Sequence, residues 1–306
     1  SMEPGEAVID VRGVTKAFSG KVVVNGLNMR VERGEIFGFL GPNGSGKTTF
    51  IRMLCGLLSP DAGEGTCLGL DVRRDAARIK EQVGYMSQRF SLYEDLTVRE
   101  NLDFTARMYG LPKRAEAVEA MIERMGLTPF AGQLAGRLSG GWKQRLALSA
   151  CMLHEPRLLL LDEPTAGVDP GARRDFWDQV HALAAQGVTS LISTHYMDEA
   201  ERCHRLAYIA YGDLLAQGSA EELIRDSGLS TFRVTGPDLH DLTLALRRTP
   251  GVDQVAAFGP ALHVSGRDRA ALETALAPWR NGAHTVTAVD TSLEEVFIGL
   301  MRRGRA

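Results

Sequence analysis

Apolar and polar positions change their period along this chain. From residue 7 to residue 40 the apolar side chains fall in short β-rich runs, AVIDVRGV, KVVVNGLNMRV and EIFGFL, separated by turns. That alternation predicts strands. The last run ends in GPNGSGKTT, and the spacing then lengthens to a helical one through TTFIRMLCGLL. Residues 92–135 read as mostly helical, and Thr97 with Glu100 in LTVRENL has the spacing of a capping box. RLLLLDEP is a continuous apolar run ending in two acids, the pattern of a strand buried on both faces of a parallel sheet. A helix over 171–186 and the strand VTSLIST complete a β-α-β unit.

Beyond about residue 220 the texture changes. STFRVTG, DLHDLTLALRRT, VDQVAAFG, ALHVSG, RDRAALETALAPW and AHTVTAV read as strand-helix-strand-strand-helix-strand, a ferredoxin-like order, and SLEEVFIGLMRR closes as a helix. This segment carries no glycine loop, acid pair or histidine cluster, so it reads as a binding or regulatory module. Two domains are expected, 7–220 with a helical subdomain at about 89–138, and 221–306. Neither low-complexity tracts nor short repeats interrupt them.

Composition changes this picture little. The 306 residues are 44% hydrophobic and 24% charged with a net charge of −3, ordinary for a globular protein and without a basic balance toward nucleic acid. The densest apolar run, Leu158 to Leu161, is far shorter than the roughly 18 residues of a membrane helix, and no secretory start is visible. Ser1-Met2 reads as a remnant of tag removal. Cys55, Cys67, Cys151 and Cys203 are scattered, without a CxxC pair or a histidine at metal spacing, which predicts reduced thiols in a cytosolic protein. A soluble intracellular chain able to dock on a membrane subunit is expected. The basic end MRRGRA reads as a solvated tail, since its three charges attract a membrane only weakly.

The chemistry begins in the glycine loop. GPNGSGKT fits G-x-x-x-x-G-K-[ST] with Gly41, Gly46, Lys47 and Thr48. The run Gly41, Pro42, Asn43, Gly44, Ser45, Gly46, Lys47, Thr48 and Thr49 is suited to close backbone N–H groups around phosphate. Lys47 supplies charge to the β- and γ-phosphates, the Thr48 hydroxyl is placed for Mg²⁺, and the following helix points its positive end at the anion. A glycine turn that merely precedes a helix is the plain alternative, and the strand in front of it argues against that. Asp162 and Glu163 close the buried strand, and open α/β sheets bind ligands at the carboxyl ends of their strands, so both acids are expected to face the phosphates. Asp162 is the acid to hold Mg²⁺ through water, which leaves Glu163 to orient the attacking water. A helix cap or surface ion pair is the rival reading of these acids, and the phosphate loop outweighs it. A second anion-friendly stretch, LSGGWKQR at 138–145, offers a serine and two glycines.

In order and spacing, GPNGSGKTT, MSQ, LSGGWKQR, LLLLDEP, AGVD and STH make residues 7 to about 220 resemble the nucleotide-binding domain of an ATP-binding cassette (ABC) ATPase. The resemblance implies an α/β P-loop NTPase cassette, a mixed sheet core plus helical subdomain, with a smaller C-terminal α+β module. It implies that Phe18, in VTKAFSG, stacks on adenine, although a phenylalanine near a first strand is usually core. It makes Gln88 the residue that senses Mg²⁺ and the attacking water, His195 the γ-phosphate contact, and Asp169 part of the loop linking the two sites of a dimer. Ser139, Gly140 and Gly141 become the signature that closes over the γ-phosphate held by a partner's Gly41-to-Thr49 loop. The same stretch also reads as a loop capping the next helix, KQRLALSACML. The implied catalytic set is Glu163, His195, Gln88 and Lys47, the implied metal set Thr48, Gln88 and Asp162, and the implied cofactors ATP and Mg²⁺.

One phosphate loop and one signature make two half-sites, which implies head-to-tail pairing with a second copy or a homologous ATPase subunit. Three functional readings compete: a transporter ATPase, a soluble ABC ATPase of translation or DNA repair, and a binding module that holds ATP without turnover. The second cassette of translation-type members and the long coiled coil of repair members are absent from this sequence, and Glu163, Gln88 and His195 argue against the third. STHYMDEAERC and SLEEVFIGLM are similar to bacterial drug-resistance and cell-envelope exporter ATPases, which work with separately encoded permease subunits on the cytoplasmic face of the inner or plasma membrane. An importer subunit is the nearest rival, and no nucleic-acid partner is expected.

Overall fold

A computed structural model describes residues 6–303, so Ser1-Met2 and the last residues of MRRGRA lie outside the described residues. Two compact units divide the chain between Leu214 and Leu215, a few residues ahead of the 220/221 boundary expected from sequence.

In the first unit β1 (Ala7–Phe18) and β2 (Lys21–Glu32) form an antiparallel pair, and β3 (Ile36–Leu40) leads into the glycine loop and α1 (Lys47–Leu54). Next come β4 (Ala62–Cys67), β5 (Leu70–Asp71), α2 (Ala76–Gln82) and β6 (Gly84–Met86). The helical stretch holds α3 (Val98–Met108) and α4 (Arg114–Arg124), followed by two short 3-10 turns and α5 (Gly140–Met152). The chain returns through β7 (Leu158–Asp162), α6 (Pro170–Ala185), β8 (Thr189–Thr194), a 3-10 segment at Met197–Arg202, β9 (Arg205–Ala210) and β10 (Asp213–Gly218), within which the first unit ends.

These strands make two sheets. One is ordered β2-β1-β4-β5 and antiparallel; the other is ordered β10-β9-β3-β8-β7-β6, with β9, β3, β8, β7 and β6 parallel. Every residue of β3, β7 and β8 is buried, which is why RLLLLDEP reads as an unbroken apolar run. A single apolar core joins Phe50, Ile51 and Met53 of α1 to Phe37 and Phe39 of β3 and to Val11 and Leu27 of the antiparallel sheet. Phe39 and Phe50 meet edge to face at 5.3 Å, so the helix after the glycine loop is anchored to the strand before it. Thr97 caps α3 through the expected capping box with Glu100.

The second unit contains α7 (Ala220–Ser227), β11 (Ser230–Thr235), α8 (Leu239–Arg247), β12 (Gln254–Phe258), β13 (Ala261–Gly266), α9 (Arg269–Leu276), β14 (Thr285–Val289) and α10 (Leu293–Arg303). Its sheet is ordered β12-β13-β11-β14 with every pair antiparallel. One face packs Phe232, Val234, Val255, Leu262 and Val264 against leucines of α8 and α9. The alternate residues are polar and receive α10: Gln254 Nε2 donates to the Glu295 carbonyl at 2.8 Å, and His263 Nδ1 bonds the Glu295 carboxylate. Helix α7, which the apolar pattern does not predict, starts at Ser219, whose hydroxyl accepts from Glu222 N at 3.1 Å.

Candidate active site

The glycine loop lies between the end of β3 and the first turn of α1, at the carboxyl ends of the parallel strands. Gly46 has φ +106°, and a Cβ there would fall 2.6 Å from the Val23 carbonyl oxygen, so only glycine fits the last bend before α1. The loop borders a cavity of about 310 Å³ lined by Asn43 to Thr49 together with Val23, Gln88 and Glu163. Ser45 Oγ is buried without a hydrogen-bond partner among the described residues. An orphaned hydroxyl in a loop of this kind suits an oxygen-rich anion.

Lys47 is 4% exposed and donates to the Gly41 carbonyl (2.5 Å), Glu163 Oε1 (2.7 Å) and the Thr194 carbonyl (3.2 Å). Burial pushes its pKa down, and the bond to Glu163 and the charges of Glu163 and Asp162 oppose that. A buried ammonium is tolerated only with such partners. Arriving phosphates present the same kind of negative oxygen, so the lysine can exchange its partner without losing charge compensation.

Glu163 has φ +48°, a left-handed conformation that a non-glycine residue adopts at a cost of about 1–3 kcal/mol. Its N–H donates to the Ser193 hydroxyl at 2.9 Å and the Ser193 carbonyl at 3.2 Å, which holds the bend. The bend turns the carboxylate toward Lys47 on one oxygen and toward His195 Nδ1, at 2.8 Å, on the other. Asp162 is one residue back on β7, almost fully buried, and accepts from the Ser193 hydroxyl at 2.7 Å. The two acids, both expected to face the phosphates, therefore divide: Glu163 lines the cavity, and Asp162 does not, its carboxylate being held by Ser193. Thr48 and Gln88 add oxygen donors on the wall.

The remaining expected residues fall elsewhere. Phe18 ends β1, is 46% exposed, has the Lys16 ammonium 5.6 Å from its ring centroid, and does not line the loop cavity. Ser139, Gly141 and Asp169 line a separate cavity of about 350 Å³ with Arg145, and the two cavities share no lining residue. Ser139 is the N-cap of α5, accepting from Trp142 N at 3.4 Å, and Asp169 is the N-cap of α6, accepting from Ala172 N at 3.0 Å. Gly140 and Gly141 thus belong to the first turn of α5 and not to a loop ahead of it. A Cβ on Gly141 would approach the Ala172 side chain to 2.6 Å, so this glycine lets two helix N-termini meet.

The sequence reading missed several residues that hold this site: Ser193, Thr165, Arg173, Tyr196 and Glu199. Only the register of β7 and β8, which sets Asp162 opposite Ser193, gives that serine its meaning. The charged residues of YMDEAER carried a weaker signal, acids shortly after STH.

A buried lysine and a strained glutamate facing a strand–glycine loop–helix turn define a phosphate-loop nucleoside triphosphatase. Comparison with known proteins sharpens the class. Residues 24–166 match the family described as ABC transporter. The chain is 46% identical over 222 residues to the probable multidrug ABC transporter ATP-binding protein YbhF of Escherichia coli (strain K12), covering 72% of this chain and 38% of that protein's length. It is 38% identical over 302 residues to Nod factor export ATP-binding protein I of Rhizobium sp. (strain N33), covering 97% of this chain and 98% of that protein. Among solved structures, the ADP conformation of an ATP-binding cassette of an ABC transporter aligns with a TM-score of 0.65 at 28% identity, over 71% of this chain and 92% of that one. The chain belongs to the ABC transporter ATP-binding protein family. Among the described residues no helix is long and apolar enough to cross a membrane.

Proposed function

We propose that this chain is the ATP-hydrolysing subunit of an exporter, working as an ATP-joined pair on separately encoded permease subunits at the cytoplasmic face of the membrane. The observation that carries the pairing is the separation of the two cavities: one holds Lys47, Glu163 and the glycine loop, and the other holds Ser139 and Asp169, with no residue in common. A second copy turned head to tail supplies the missing half of each site. Lys47 binds the β- and γ-phosphates, His195 contacts the γ-phosphate, and Phe18 stacks on adenine. Glu163, released from Lys47 by the incoming phosphates, orients and polarises the attacking water. Thr48 and Gln88 on the cavity wall are hard oxygen donors that would hold Mg²⁺ directly, with Asp162 behind them acting through water, and the ion would supply neutralisation of phosphate charge. The export direction is supported by the multidrug and Nod factor export relatives. The second unit, with no glycine loop of its own, serves as an accessory module for dimer contact or regulation.

Glu163→Gln is the test. Hydrolysis of ATP falls by about 10²–10⁴-fold, the usual worth of a general base, while ATP still binds. Sizing with ATP and Mg²⁺ then shows the variant as a dimer, and a species that stays monomeric at all concentrations overturns the pairing. A pull-down from detergent-solubilised membranes identifies the permease; recovery of subunits that require a solute-binding protein overturns export in favour of import.

A further inference from the structure

Behind Glu163 and His195 a second set of side chains ties the same two segments together. Glu199 is 2% exposed, and its Oε1 accepts from the Thr165 hydroxyl at 2.6 Å and from Arg173 Nε at 2.9 Å. Its other oxygen is buried without a hydrogen-bond partner among the described residues, so Arg173 is the cation that offsets this charge. The Arg173 guanidinium also reaches Asp198 at 3.0 Å and lies 3.7 Å above the Tyr196 ring. The Tyr196 hydroxyl accepts from Gly167 N at 3.3 Å, and its ring lies 4.3 Å from that of His195.

These contacts connect places that the sequence keeps apart. His195 touches Glu163 on the phosphate side. Tyr196, the next residue, touches Gly167, two positions before the Asp169 cap of α6. Arg173 lies in the first turn of α6, its N–H bonded to the Asp169 carbonyl at 2.9 Å. One residue earlier, Ala172 packs against Gly141 in the first turn of α5. A continuous run of contacts thus leads from His195 to the first turn of α6 and on to the Ser139 cavity.

We propose that Arg173, Tyr196 and Glu199 are positioning residues that hold the 163–169 segment in register with the 194–199 segment, so that the phosphate side of one chain sets the placement of the surface it offers its partner. This rests on the ATP-joined pair proposed above. None of the three is assigned contact with nucleotide; each acts through Glu163, His195 or Asp169.

Tyr196→Phe is the sharpest probe, because it removes the acceptor for Gly167 N and leaves the ring beneath Arg173. Its expected outcome is a melting temperature within about 4 °C of wild type, a fluorescent-ATP Kd within about twofold of wild type, an unchanged KM, and a kcat lower by about fivefold, the worth of one neutral hydrogen bond. Arg173→Met lowers kcat further, and Arg173→Lys restores part of it by returning the charge without the planar fork. In an Asp169→Ala background Tyr196→Phe has little added effect, since both act through one segment. If Arg173→Met does not fold, Tyr196→Phe and the double variant decide. Wild-type kcat in Tyr196→Phe, or simple additivity with Asp169→Ala, overturns the proposal. Failure of the pair itself is seen separately, as a wild-type or Glu163→Gln chain that stays monomeric with ATP.

Discussion

Lys47 and Glu163 compensate each other's charge on the wall of the loop cavity, where both are almost fully buried. Both residues were legible from their motifs; Ser193, Thr165 and Glu199 were not, because hydroxyls and acids become site residues only through the neighbours folding gives them. A single residue also sets a pH response. His154 stacks on Tyr109 with ring centroids 4.0 Å apart and bonds the Val83 carbonyl through Nε2 at 2.9 Å. Burial lowers its pKa from the ordinary 6.5. The unfolded chain therefore takes up this proton first as pH falls, so the contribution of His154 is complete above 6.5 and is lost progressively below it. Urea midpoints measured between pH 5 and 8 should decline on the acid side, and His154→Gln should flatten that decline. An identical slope in the variant removes His154 as the cause.

Helix α5 shows how element and motif coincide. Ser139 caps it, Gly140 and Gly141 form its first turn, and the close approach to Ala172 explains why a residue with a side chain is excluded at 141. Gly141→Val forces its methyl groups into the first turn of α6, an overpacking of about 1–3 kcal/mol. The expected result is nearly normal ATP binding by the monomer, since the glycine loop is elsewhere, with hydrolysis abolished. Fluorescent-nucleotide titration and phosphate release measure the two. Hydrolysis at the wild-type rate denies Ser139 and Gly141 their part in the reaction. At this scale the sequence was most legible where one local rule suffices, as in the Thr97–Glu100 cap of α3 and the unbroken apolar β7. Helix α7 escaped although Ser219 and Glu222 have the same cap spacing, because Leu223 is its only buried residue and so the apolar period is too thin to notice.

Across the whole molecule the four cysteines report on packing. All are free thiols, and burial raises Cys55 to about 11, Cys67 to about 12 and Cys151 to about 12, with Cys203 raised as well. The thiolate is the reactive form, so an alkylating reagent at pH 8 should leave the native chain unlabelled and modify all four sites in urea, as read by intact mass. Rapid labelling of Cys55, Cys67 or Cys203 in the native chain contradicts its burial. The unit division also belongs to this scale: it falls within β10, where the texture of the sequence placed it slightly later, because a strand's membership in a sheet depends on its neighbours and not on its own residues. By itself the sequence determined the glycine loop, the acid pair, the capped start of α3 and the family resemblance, since each is a matter of residue type at short fixed spacing. Only the tertiary structure decided that Glu163 faces the cavity while Asp162 backs it, and that Ser139 meets Asp169 at a separate cavity. Strand register and helix packing bring distant residues within hydrogen-bond reach, and no local spacing encodes those distances.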